Sequence, residues 1–86
     1  MKFTDIKTSR ENRFSIGIEE HSGKHFVSIP VSNPYVDYEE YYEISTEAFK
    51  EFESDLTKAL GFVQECKEQK NDHLLFQKPG KYRGVA

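Results

Sequence analysis

The chain has 86 residues, 36% of them hydrophobic and 14% aromatic, with seven Phe and five Tyr. An aromatic load of that size is foreign to disordered segments, so a folded chain is expected, burying roughly 60–65% of the surface it exposes when unfolded. Fifteen acidic against twelve basic residues leave a net charge of −3, which argues against non-specific nucleic-acid binding, because that rests on Lys and Arg neutralising phosphates.

The length predicts one small domain over residues 1–86. Cys66 is the sole cysteine, so no intramolecular disulfide can form and a reducing, cytoplasmic setting is expected. The first twenty residues include Lys2, Asp5, Lys7, Arg10, Glu11, Arg13, Glu19 and Glu20. No apolar signal core fits among them, so no secretory leader is expected. No run approaches the ~18 apolar residues of a membrane helix, so no membrane partner is expected.

Residues 1–13 are weakly patterned. Phe3 and Ile6 suggest an edge strand or an arm around 2–7, and a polar link follows. From Phe14 to Glu20 the apolar residues alternate, with Phe14, Ile16 and Ile18 on one face. His25 to Val31 alternates too, with Val27, Ile29 and Val31 inward. The intervening His21-Ser22-Gly23-Lys24 holds a glycine that can take a positive φ, so 14–31 reads as a hairpin. Pairing Ile18 with Val27, Ile16 with Ile29 and Phe14 with Val31 puts all six on one face. Pro30 lacks a backbone donor and belongs at an edge or a bulge. Ser32-Asn33-Pro34 turns the chain into a third strand, 36–44, whose inward set Val36, Tyr38, Tyr42, Ile44 is broken by Glu40. Its outward set is Asp37, Glu39, Tyr41 and Glu43.

At Ser45 the period changes from two to helical. Ser45 suits an N-cap, Ile44 and Phe49 sit at the spacing of a hydrophobic staple, and Glu47 suits the first turn. Over 46–70 the residues Ala48, Phe49, Phe52, Leu56, Ala59, Leu60, Val63 and Cys66 fall within about 120° on a helical wheel. Ser54-Asp55 can cap a second helix, so a break near 54 is compatible with the same inward face. Lys67, Lys70 and Asn71 mark a helix end. His73 to Phe76 can pair as a last strand, Pro79-Gly80 turns, and 79–86 reads as a loose basic tail. The fold expected is α+β: an antiparallel sheet of three to four strands covered on one face by the helical segment.

No residue cluster amounts to a recognisable catalytic or cofactor site, so no catalytic residue, cofactor or metal is assigned. His21, His25, Cys66 and His73 are the soft metal ligands, but structural zinc wants two close pairs and Cys66 lies on the apolar stripe. Cys66 with His73 invites a nucleophile reading, against which burial raises a thiol pKa and makes it inert. A buried Glu40, with His73 and the neighbouring acids, could do acid–base work, and this is the enzymatic alternative. An inward charge on an exposed strand is equally a guard against edge-to-edge aggregation. Lys78, Lys81 and Arg83 with Tyr82 form a weak basic footprint for nucleic acid.

Asp37-Tyr38-Glu39-Glu40-Tyr41-Tyr42-Glu43 holds four acids and three tyrosines in seven residues. Tyrosines are enriched at binding hot spots and acids steer basic partners. The plainer reading of the same stretch is a sheet face whose acids keep the protein soluble. Asp37, Glu39, Tyr41 and Glu43 are the candidate partner-binding residues.

Three segments carry a resemblance: Ser28-Ile29-Pro30-Val31-Ser32-Asn33, then Val36 through Ile44, and Asn71-Asp72-His73-Leu74-Leu75 with Lys78-Pro79-Gly80. Together they resemble a family of small uncharacterised bacterial proteins of about this length. The resemblance implies no activity, cofactor or catalytic residue. A looser analogy, on surface chemistry alone, is to bacterial immunity proteins, whose acidic, tyrosine-bearing surfaces block basic nucleases. The function expected is a non-enzymatic protein–protein interaction module, in its sharpest form an inhibitor or immunity-type protein. Its expected partner is another protein with a basic surface, or a second copy of the chain.

Overall fold

The computed structural model describes residues 1–80 and 83–86. The fold is α+β. Four strands, β1 (Phe3–Ser9), β2 (Phe14–Glu19), β3 (His25–Ser32) and β4 (Asp37–Ile44), form one antiparallel sheet in chain order. Helix α1 (Thr46–Ser54), a 3₁₀ turn (Leu56–Ala59) and helix α2 (Leu60–Lys67) cover one face. No helix among the described residues is long and apolar enough to cross a membrane.

Strand alternation builds the core. Phe14, Ile16, Val27, Ile29, Val31, Tyr42 and Ile44 point to the helical side and pack with Phe49, Ala59, Val63 and Cys66. The hairpin forms, but its register differs from the expected one. Ile16 pairs with Val27 and Ile18 with His25, two residues away from the Ile16–Ile29 and Ile18–Val27 pairing. A displacement of two keeps every side chain on its face, so hydrophobic alternation alone cannot distinguish the two registers. The turn decides between them. Glu19 N–H donates to Lys24 C=O at 2.8 Å, closing a loop over Glu20–Gly23, and Gly23 takes φ 73° and donates to Glu19 C=O at 2.9 Å. The Glu19 carboxylate folds over that loop and accepts from the backbone N–H of His21 and Ser22 at 3.0 and 2.9 Å. The expected register left Glu19 inside the strand with no such role.

β1 is an edge strand over its whole length, with a bulge between Asp5 and Lys7. Bulges of this kind twist an edge away from further pairing. Val36, expected inward, lies before β4 and is exposed.

The helical segment breaks at Asp55. Ser45 caps α1, its hydroxyl accepting from Ala48 N–H at 3.1 Å, and Asp55 caps the 3₁₀ turn, accepting from Thr57 N–H at 3.0 Å. The tighter 3₁₀ winding advances the side-chain phase by about 20° per residue. Leu60, expected in the core, therefore turns outward and is 37% exposed, and Phe62 turns inward toward Phe52, with ring centroids 6.3 Å apart. α2 stops at Lys67, short of the expected residue 70. Gln69 takes φ 63°, with Gln69 N–H donating to Cys66 C=O and Lys70 N–H to Glu65 C=O, the bonds of a Schellman end.

His73 sits in a second 3₁₀ turn, Asp72–Leu74, and not in a strand. Pairing along β4 contracts to Leu75 opposite Tyr42 and Phe76 N–H donating to Tyr41 C=O at 3.0 Å. Residues 79–86 are not loose throughout. Val85 exchanges backbone hydrogen bonds with Ser32 at 3.1 and 3.0 Å, and Gly84 N–H donates to the Tyr38 hydroxyl at 2.8 Å. Gly84 packs flat on Ser32, where a Cβ would lie 2.9 Å from its nitrogen. Lys81 and Tyr82 of the expected tail lie outside the described residues.

Candidate interaction surface and buried carboxylate

β4 divides its side chains cleanly. Tyr38, Glu40, Tyr42 and Ile44 face the helical layer; Asp37, Glu39, Tyr41 and Glu43 share the outer face. Asp37 and Glu39 are exposed and form no ion pair with a described residue. Glu43 is half-buried and meets Lys24 Nζ at 3.4 Å.

Tyr41 does not project as a lone aromatic. Its ring stacks on Phe3 with centroids 3.8 Å apart and meets the edge of Phe26 at 5.0 Å; Phe76 closes on Phe3 at 5.3 Å. Phe26 lies over Gly17, where an added Cβ would come within 2.7 Å of the Phe26 ring. A second, aromatic core thus sits on the face that the helices leave uncovered. The Tyr41 hydroxyl donates to Glu39 Oε2 at 3.0 Å. Burial, then the Glu39 carboxylate beside it, pushes the Tyr41 pKa up to about 12. Between this cluster and the segment Phe76–Gly80 lies a cleft of about 210 Å³, walled by Phe3, Glu39, Tyr41, Phe76 and Lys78 and reaching Glu40.

On the inner face Glu40 is buried, 6% exposed, and fully engaged. Arg83 donates from Nε and Nη2 to its two oxygens at 2.8 and 3.0 Å, and the Tyr42 hydroxyl donates at 2.7 Å. The other side of the guanidinium donates to both oxygens of Asp72 at 2.8 Å. Hydrogen bonds from Arg83 hold the Asp72 carboxyl below its ordinary range, and the two carboxylates, Asp72 first, drive the Arg83 pKa further up. Burial and then Glu40 raise the Tyr42 phenol. The arrangement is a closed salt-bridge relay with every partner satisfied. It ties the C-terminal segment to β4 and to the turn at Asp72.

His73 is exposed, and Glu40 spends its hydrogen bonds on Arg83 and Tyr42, so the geometry does not join Glu40 and His73. Cys66 is buried with Asn71 Nδ2 3.6 Å from its sulfur, and burial pushes the thiol up to about 12. His25 stacks on Phe49 at 4.2 Å. Among the described residues no group of three or more His, Cys, Asp or Glu side chains is placed to hold a metal ion.

Two residues escape a reading of the sequence. Arg83 lies in a stretch whose composition suggests a tail; the signal was the inward Glu40 itself, since a buried carboxylate demands a paired cation. Glu19 accepts three backbone N–H bonds, from Lys2 at 2.8 Å as well as from His21 and Ser22, and they lower its pKa to about 2. Only its place beside a Ser-Gly turn hints at that role.

Compared with protein-family models, with curated proteins and with solved structures, the chain matches none.

Proposed function

We propose that the protein is a non-enzymatic protein–protein interaction module that takes a basic partner on the outer face of β4. An inhibitor or immunity-type protein is the sharpest form of this reading. The observation that carries it is that two exposed carboxylates, Asp37 and Glu39, which form no ion pair with a described residue, lie beside an aromatic-walled cleft on the face without helices. Exposed acids steer a cationic surface toward the strand, and the apolar wall beside them supplies short-range burial. Tyr41 supports the wall from within, and Glu43 contributes less because Lys24 already neutralises it. What favours this reading over the enzymatic alternative is that Glu40 bonds Arg83 and Tyr42 and does not meet His73.

Parallel capture from a cell lysate at low salt, with the wild-type chain and an Asp37→Lys/Glu39→Lys variant as baits, tests this. A basic protein retained by the wild type, released by high salt and lost with the variant supports the reading. Equal retention by both baits would sink it, since screening and charge reversal must act on the same contact.

A further inference from the structure

The outer face of the sheet is unevenly filled. Its one half carries the Phe3, Phe26, Tyr41 and Phe76 cluster. Its other half, toward the β1–β2 turn, is surfaced by short side chains, Thr8, Ser15, Ser28 and Pro30, aligned across three strands. A depression of about 220 Å³ lies there, with Thr8, Ser15 and Pro30 along it, Arg10 and Arg13 at the turn end and Glu39 on the opposite wall.

We propose that this depression binds a phosphate-type oxyanion at its arginine end. Arg10 and Arg13 form no hydrogen bond or ion pair with a described residue, although acids outnumber bases in the chain. Both arginines line one small depression, where a shared anion would offset their like charge. Each offers a planar fork of donors that matches two oxygens of a phosphate. The cavity adds hydroxyl donors. Thr8 Oγ1 and Ser15 Oγ share one hydrogen bond at 2.9 Å, which uses one of their two hydroxyl hydrogens and leaves the other to be given. Opposite Ser15 on β3, Ser28 is 1% exposed and its hydroxyl has no hydrogen-bond partner among the described residues. Buried hydroxyls are rarely left so, but Ser28 does not line the depression itself.

Glu39 sets the polarity of the site. Its carboxylate accepts from Tyr41, which turns it along β4, and its charge on the far wall confines an anion to the arginine end. The site shares Glu39 with the protein-binding reading of β4, but its ligating groups lie on β1, β2 and their turn, so Arg10→Gln tests it without touching the acids of β4.

Titration with inorganic phosphate, followed by ¹⁵N-resolved NMR against chloride at matched ionic strength, tests the proposal. Phosphate, and not chloride, should shift the Arg10 and Arg13 Nε–H signals and the Ser15 and Ser28 amides with saturation in the millimolar range. A parallel arm with phosphoserine separates the sources: tighter binding there points to a phosphorylated side chain, and equal binding to free phosphate. Arg10→Gln, at an exposed position, should weaken binding about tenfold, as expected for loss of one charge-assisted contact. Arg13→Asn, which tolerates the left-handed backbone at φ 55°, should do the same, and Glu39→Gln should tighten binding. Shifts that are linear and equal for phosphate and chloride, or that persist unchanged in Arg10→Gln, would overturn it.

Discussion

Arg83 reaches Glu40 across 43 positions of sequence and donates to both of its carboxylate oxygens, at 2.8 and 3.0 Å. The pair joins the C-terminal segment to the sheet, and it is shielded, with the two side chains 15% and 6% exposed. Removing one partner of a shielded pair leaves the other charge buried and uncompensated. Arg83→Ala should therefore destabilise the fold by about 3–5 kcal/mol in urea titration. Arg83→Lys should recover only part of that, because an ammonium cannot present two forks to Glu40 and Asp72 together. A loss below about 1 kcal/mol for Arg83→Ala would show that water readily replaces the guanidinium.

Glu19 predicts a dependence on acid. Its folded pKa is about 2, against an ordinary 4.5 in the unfolded chain, because backbone N–H groups of Lys2, His21 and Ser22 bind the ionised form. A depressed carboxyl stabilises the fold fully above the unfolded pKa, and as pH falls the unfolded state takes up the proton first. The contribution fades from about pH 4.5 downward and is gone below about 2. Asp72, Asp55 and Glu68, also held low, act in the same direction. Urea midpoints of wild type and Glu19→Gln, measured across this range, should converge as pH falls. A constant gap between them would mean that the carboxylate charge is irrelevant to the turn.

Much of this architecture is legible in the sequence, and the failures have physical causes. Alternation places Ile16, Val27 and Tyr42 inward, and the Ser45 cap marks the strand-to-helix joint, because both signals are local. The hairpin register is not local in that sense. Alternation repeats every two residues, so it leaves a two-residue ambiguity that only the Glu19 bonds around the Gly23 turn resolve. Leu60 fails because a wheel drawn at 100° per residue is applied across a 3₁₀ turn. The outer aromatic cluster is missed because Phe3, Phe26, Tyr41 and Phe76 come from four separate segments, and each alone resembles a scattered surface aromatic. The acids of the candidate surface, Asp37 and Glu39, lie where strand alternation puts them.

A pair of truncations separates the two sides of the helix break. Ile16 is fully buried at the centre of the inner face, so Ile16→Ala should cost about 2–5 kcal/mol. Leu60→Ala should cost less than about 1 kcal/mol, as for other exposed positions. Denaturant titrations giving equal losses for the two would return Leu60 to the core and erase the phase advance at the 3₁₀ turn.

Tyr41 decides whether the outer aromatics are packing or display. A displayed anchor would act on binding and leave the fold untouched. The stacked contact with Phe3 at 3.8 Å and the Phe26 edge at 5.0 Å say instead that the ring holds β1 against the far side of the sheet. Tyr41→Ala should accordingly cost about 3 kcal/mol, the lower end for loss of a packed aromatic. Tyr41→Phe keeps the ring and loses the hydroxyl bond to Glu39, so it should stay within about 1 kcal/mol of wild type. Glu39→Lys gives up the same hydroxyl bond at an exposed site and should be equally mild for stability. For a basic partner the order changes: Glu39→Lys should weaken association most at low ionic strength, and Tyr41→Phe should leave it nearly intact. A Tyr41→Ala protein as stable as wild type, with partner binding lost, would make Tyr41 a displayed anchor and put the recognition surface on the ring itself.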